Sequence, residues 1–282
     1  MNLININNIT IGSDPEFFIV TKDGEAYPST ELFKGTKENP EDQGGGYALL
    51  TDNVLVEGNI PPANNEAEYV EYMINLQNMI NSVLEIRGMK LFASDSMKYK
   101  PRFLEHPEAN VFGCSSYKNA WEYGSFSAEN MSHLPIRVAG DHQHVGYQLL
   151  TDKYSKKEMN RYIARAFDYF CVWPSRQHYN DDFRAKYYGP YGVYRDCDYG
   201  LEVRALGGHF TAPEHLSWVY QQTIKAVEFC SVESNLMLLE RVNNPITEDI
   251  ESTEQYYKIL GIDYKELLIT EELCKTSSLV SK

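Results

Sequence analysis

At 282 residues, with 43% hydrophobic and 23% charged residues, the chain has the make-up of a globular protein with a real core, in one large domain or two small ones. Lys and Arg number 26 against 40 Asp and Glu, a formal charge of −14, which argues against a general nucleic-acid binder, since that needs a basic stripe to displace counterions. No apolar run of about 18 residues or more is present. The start, MNLININNIT, lacks the charged and apolar regions of a secretion signal, so a cytoplasmic protein is expected.

Five cysteines, Cys114, Cys171, Cys197, Cys230 and Cys274, are odd in number and show no CxxC spacing. They are expected to be free thiols of a reducing compartment, packed in the core and not nucleophilic. The 21 tyrosines suit half-buried positions and pocket walls, where the ring packs and the hydroxyl stays wet.

In chain order, residues 15–20 (PEFFIV) predict an apolar strand, with a hairpin signal at Asp23-Gly24. Residues 34–46 are polar and glycine-rich and predict no regular element. Residues 47–60 predict two hairpin-linked strands stopped by Pro61-Pro62. A helix begins at Asn65, with Glu68 as a capping-box partner, carries Tyr69, Met73, Leu76, Ile80 and Leu84 on one face, and stops at Gly88. Strands are expected at about 90–94, 136–150 and 200–206, while 97–132 resists assignment. A second helix starts at Ser155 with Glu158 as box partner and is expected to end before Pro174. A third starts at Thr211 with Pro213 and Glu214 in its first turn. Short helical pieces follow Asn244. These elements predict an α+β fold, with helices on one face of a mostly antiparallel sheet. The division is a main domain over 1–244 and a helical C-terminal extension over 245–282.

Four strand segments carry more polarity than a packed strand tolerates. In GSDPEFF, Asp14, Glu16 and Phe18 share one face because strand side chains alternate. In DNVLVEGN, Glu57 ends an otherwise apolar strand. GDHQHVGY puts His142 and His144 on one face, and GLEVR does the same for Glu202 and Arg204. Taken singly, each has a bland explanation: a solvated strand end, an outward-facing pair, a surface ion pair. Together they offer several carboxylates and an imidazole, an oxygen-rich set harder than zinc prefers and suited to magnesium or manganese bridging phosphate oxygens.

The segment 182–195 interleaves Arg184, Lys186 and Arg195 with glycine and tyrosine, as a nucleotide-gripping loop would, or as a flexible surface loop would. Lys37 has the reach to touch a phosphate and is equally compatible with solvent. Gly44-Gly45-Gly46 is a turn and not a phosphate-binding Walker loop, because no Lys-Ser/Thr follows. His106, His133, His178, His209 and His215 stand alone in sequence, and structural roles are expected for them.

The ordered set GSDPEFF, DNVLVEGN, GDHQHVGY, RAKYYGPYGVYR and GLEVRAL resembles the phage-encoded carboxyl–amine ligases of type 2. These are an amidoligase branch of the glutamine synthetase and glutamate–cysteine ligase superfamily. The resemblance covers roughly residues 11–230, so that 1–244 would be the amidoligase catalytic domain. It implies a curved antiparallel sheet with helices on its convex face, and ATP with two or three Mg2+ or Mn2+ ions on its concave face. Carried across, Glu16, Glu57, His144 and Glu202 would hold metal, and His142 would orient a neighbour or contact ATP. Arg184, Lys186, Arg195 and Lys37 would contact the nucleotide. Arg204, Arg195 and Asp52 would act in catalysis, with Asp14 and Asp52 binding metal or the incoming amine. The implied reaction joins a small-molecule or peptide carboxylate to an amine through an acyl phosphate, in the host cytoplasm if phage-encoded, with segment 34–46 as a lid. Relatives range from monomers to large rings, which leaves the oligomeric state open. Two other readings stay open: an oxygenase or hydrolase built on the HxH pair with Glu202, and an inactive phage accessory protein of the same fold.

Overall fold

A computed structural model describes residues 2–111, 117–122, 125–126, 132–245 and 250–270; Cys114, Cys274 and parts of 97–132 and of the tail lie outside them. The fold is α+β. In chain order its elements begin with β1 (Thr10–Thr21), β2 (Ala26–Tyr27), β3 (Glu41–Gly44), β4 (Tyr47–Asp52), β5 (Leu55–Asn59) and α1 (Glu66–Glu85). Next come β6 (Met89–Phe92), β7 (Ser96–Lys98), β8 (Tyr117–Asn119), β9 (Ser125–Phe126), β10 (Ile136–Val138), β11 (Asp141–Gly146) and α2 (Lys156–Phe167). The last are α3 (Trp173–His178), α4 (Asp182–Tyr187), β12 (Val193–Asp196), β13 (Gly200–Val203), α5 (Leu216–Cys230), α6 (Glu233–Leu239) and α7 (Ile250–Leu260).

The main sheet runs β3-β4-β5-β1-β11-β13-β12-β8-β9, with β2 and β6 flanking the second half of β1, and β7 and β10 form a separate ribbon. All these pairings are antiparallel. The first strand is longer than its apolar run, because residues 10–15 pair with β11 and so draw the polar Gly-Ser-Asp lead-in into the sheet. The expected strand over 136–150 is split at Ala139-Gly140, where the chain leaves the small ribbon and enters the main sheet.

Alternation sorts the two faces. Phe17, Ile19, Val56, Val145, Leu201 and Val203 share one core with Tyr69, Met73 and Leu76 of α1 and with residues of α2 and α5. Gln143 exchanges hydrogen bonds with the Tyr69 hydroxyl, which puts the helical layer on the face away from His142 and His144. Asn65 caps α1 by accepting from Glu68 N at 3.0 Å, although the Glu68 carboxylate reaches back to the main-chain N of Asn64 and not to that of Asn65. The Ser155–Glu158 capping box is complete.

Three expectations change. The second helical run does not stop before Pro174. A π-turn over Asp168–Val172 shifts the Trp173 amide onto Asp168 O, and this widened turn admits Pro174 in the first turn of α3. The third helix is preceded by two 3-10 turns, Gly208–Thr211 and Pro213–His215, and becomes α-helical only at Leu216. Part of 34–46 is regular: β3 is an exposed edge strand, joined to β4 through Gly44, Gly45 and Gly46, all at positive φ.

In the tail, Tyr257 packs on Trp173 and Tyr169, and the Trp218 indole donates to Leu267 O at 2.9 Å. Tyr257, Leu260 and Leu267 therefore share the core of the preceding chain. Among the described residues no helix is long and apolar enough to cross a membrane.

Candidate active site

The face opposite the helices gathers the polar strand residues, because antiparallel register aligns them. Glu16 lies opposite Glu57, Asp14 opposite His142, His144 opposite Glu202, and Glu202 opposite Arg195. Asp52 ends β4, next to the turn that Asn53 makes at φ 60°. Glu16, Asp52 and Glu57 each offer one oxygen, and these oxygens lie within 4.8 Å of one another.

Glu16 is 1% exposed. One of its carboxylate oxygens accepts from Gly140 N at 2.6 Å, and the other from the Tyr188 hydroxyl at 3.4 Å. Burial, with the nearby Asp52 charge, pushes its pKa up to about 7. The half-buried Glu57 is raised well above its usual range by burial and by Asp52, Glu16 and Asp14. Lys37 meets Asp52 at 2.7 Å. A cavity of about 30 Å³ opens between Glu16, Asp52 and Tyr188, room for one ion or water.

His142 is 2% exposed, and its Nε2 has no hydrogen-bond partner. That nitrogen stands 3.8 Å from Glu16 and Nδ1 stands 3.9 Å from Glu202. Burial and the neighbouring Arg204 and Arg184 charges hold its pKa well below the usual value, so it is a neutral imidazole. His144 differs. Its Nε2 meets Asp14 at 2.8 Å and its Nδ1 meets the Tyr199 hydroxyl. Burial lowers its pKa, but the Asp14 bond and charge outweigh that and leave it raised. The expected nitrogen ligand, His144, thus has both ring nitrogens engaged, and His142 is the imidazole with one to offer.

Glu202 is buried, with Arg195 Nη1 at 2.9 Å and Arg204 Nη1 on its other oxygen. Arg204 also donates to the Tyr188 hydroxyl at 3.1 Å and lies over the Tyr117 ring. Expected beside Glu16 and Glu57, Glu202 instead stands across His142 from them, within a double arginine clamp.

One expected nucleotide contact, Arg184, is turned into the fold. Arg184 is 2% exposed and donates to the backbone oxygens of Ala139, Ala205 and Arg204 at 2.6, 2.9 and 3.2 Å. Its guanidinium joins the main-chain segments around the site and has no surface for a phosphate. Lys186 lies exposed on α4, its ammonium over the Tyr187 ring. Both stand on a helix capped by Asp181, not on the loop expected there.

Residues that sequence reasoning did not single out complete the site. Tyr188 links Glu16 to Arg204 and stacks on His142, Tyr199 holds His144, and Asn59 donates to Asp14 at 2.6 Å. Their only signal was tyrosine density and the polar end of β5. Cys171 and Cys230 are buried, with thiols raised by burial, as expected of non-nucleophilic core cysteines. On the same face, a cavity of about 270 Å³ is lined by Gly12, Asp14, Ile60, His144 and Tyr199.

No protein-family model matches the chain, and no curated protein matches it. Among solved structures it is similar to GmaS in complex with ADP, at 11% identity and TM-score 0.41, over 96% of this chain and 68% of that one. It is similar to a structure described as a novel glutamine synthase homolog, at 12% identity and TM-score 0.38, over 97% of this chain and 67% of that one. A bifunctional glutathione synthetase from Pasteurella multocida aligns at 12% identity and TM-score 0.43, over 97% of this chain and 48% of that one. The chain spans about two thirds of the first two and about half of the third.

Proposed function

We propose that the protein is an ATP-dependent carboxylate–amine ligase whose divalent-cation site is Glu16, Asp52 and Glu57, with His142 beside them. The observation that carries this reading is the convergence of those three carboxylates, two of which, Glu16 and Asp52, border an ion-sized cavity, next to a buried imidazole nitrogen without a partner. The donor set fits a hard ion: oxygens dominate, and the raised pKa values of Glu16 and Glu57 express burial first and then repulsion among the acids, both of which a divalent cation would offset. Such an ion supplies charge neutralisation for the triphosphate.

The chain's own residues would divide the remaining work. Arg195, whose side chain is 42% exposed, and Arg204 present guanidinium groups next to Glu202 for the transferring phosphoryl oxygens. Lys37 sits over Asp52 from the segment 34–46 and supplies a further cation, so that segment would close over a bound nucleotide. A carboxylate oxygen of the donor attacks the γ-phosphorus, ADP leaves, and an acyl phosphate forms. An amine then attacks the acyl carbon, phosphate leaves, and the amine proton passes to a carboxylate. Asp14 is placed for that step, since it borders the larger cavity and is oriented by Asn59 and His144.

The oxygenase or hydrolase reading has weaker support. It needs His142, His144 and Glu202 as ligands, yet His144 is bound at both nitrogens and Glu202 by two arginines.

The test is incubation of the protein with ATP, Mg2+ and pooled amino acids and amines. ADP and phosphate release, together with a product mass equal to the two substrates minus water, is expected. Failure to release phosphate with every carboxylate–amine mixture, in protein that binds ATP, would support the inactive accessory protein instead.

A further inference from the structure

Three histidines that stand apart in the sequence meet where the end of α3 packs against the turns that lead into α5. His178 ends α3, His209 lies in the 3-10 turn Gly208–Thr211, and His215 closes the 3-10 turn that leads into α5. Their ring centroids are 6.2, 5.2 and 5.1 Å apart, and one nitrogen from each lies within 4.8 Å of the other two. They therefore do not stand alone, as their sequence positions suggested.

We propose that His178, His209 and His215 bind a single transition-metal ion of the zinc class, at a site separate from the carboxylate cluster. A purely aromatic cluster would explain the ring packing, since Tyr179 stacks on His209 and Phe210 packs at a tilt on His215. It would not explain His215, which is 3% exposed and whose Nδ1 has no hydrogen-bond partner. A buried ring nitrogen left unpaired costs free energy that a coordinated cation would recover. Three clustered imidazoles suit zinc, cobalt, nickel or copper and not magnesium, and three protein ligands leave one tetrahedral position open. His178 is exposed, so a rotation of its ring, made without disturbing the core, would bring all three nitrogens to coordination distance.

The ion would close the chain between residues 178 and 215. That loop carries Tyr188, Arg195, Glu202 and Arg204, so the metal would act as a clip on the segment that builds the arginine side of the candidate active site.

The experiment uses the untagged full chain, stripped with chelator and titrated with Co2+, followed by competition with Zn2+. One equivalent of cobalt with visible ligand-field bands is expected, and Zn2+ should displace it. His178→Ala, at an exposed position that leaves the core untouched, should weaken binding by about a hundredfold. Zn2+ should raise the melting temperature of the parent protein and not of that variant. Glu57→Gln should keep the cobalt bands, which separates this site from the carboxylate cluster. The proposal is overturned if the parent protein shows no such bands, or if His178→Ala and His209→Ala both bind cobalt as tightly as the parent.

Discussion

Glu16 and Glu57 are direct cross-strand partners, two carboxylates facing each other on one surface of an antiparallel pair. Like charges in that position destabilise a sheet. Asp52 adds a third acid, and Lys37, at 2.7 Å from Asp52, is a nearby counter-charge. Such a cluster is stable when a cation joins it.

Replacing Glu57 with Gln keeps the shape and removes one charged donor. Mn2+ binding, followed by isothermal calorimetry or by loss of the free-ion resonance signal, should weaken at least about tenfold. The metal-free variant should be no less stable than the parent. Unchanged Mn2+ affinity would remove Glu57 from the site.

Tyr188→Phe deletes only the hydroxyl between Glu16 and Arg204, while the ring still stacks on His142. The fold should survive, with a loss of about 1 kcal/mol. ADP release in the ligase assay should fall more than tenfold. Full turnover would assign Tyr188 to packing alone.

Asp168 gives a pH dependence independent of any ligand. It is buried, accepts from the Trp121 indole at 2.6 Å, and burial pushes its pKa from 3.8 to about 7. Between those values the folded state keeps a proton that the unfolded chain releases, so stability falls as pH rises through the window and levels off above it. The shift corresponds to a loss of up to about 4 kcal/mol. Asp168→Asn keeps an oxygen for Trp121 and removes the titration. In urea unfolding, its stability relative to the parent should rise from about pH 4 to pH 7; a difference that does not change with pH would contradict this.

Gly58 lies next to Glu57 on the helical face of β5, where an added Cβ would sit 2.7 Å from the Leu76 side chain of α1. Gly58→Ala should therefore cost about 1–3 kcal/mol by overpacking. Leu76→Ala in the same chain should recover part of it, since it opens the space. Additive losses in the double variant would mean that the two residues do not meet.

Period and composition determined much of this protein. The alternation in GSDPEFF and DHQHV put Asp14, Glu16, His142 and His144 on predictable faces, and Asn65 and Ser155 marked helix starts through capping chemistry that is local by nature. Register was not local. That Glu16 meets Glu57, that Asp52 joins them, and that His144 is bound by Asp14 and Tyr199 depends on which strands pair and in what alignment. The same limit hid the role of Arg184, which looked like a phosphate contact in a basic segment and is a buried cross-link among carbonyls. It also hid the three histidines, whose meeting needs the π-turn before α3 and the 3-10 turns before α5. Side-chain direction along one element follows from bond geometry that the sequence encodes residue by residue. Contact between elements far apart in the chain follows from packing, which only the folded whole decides.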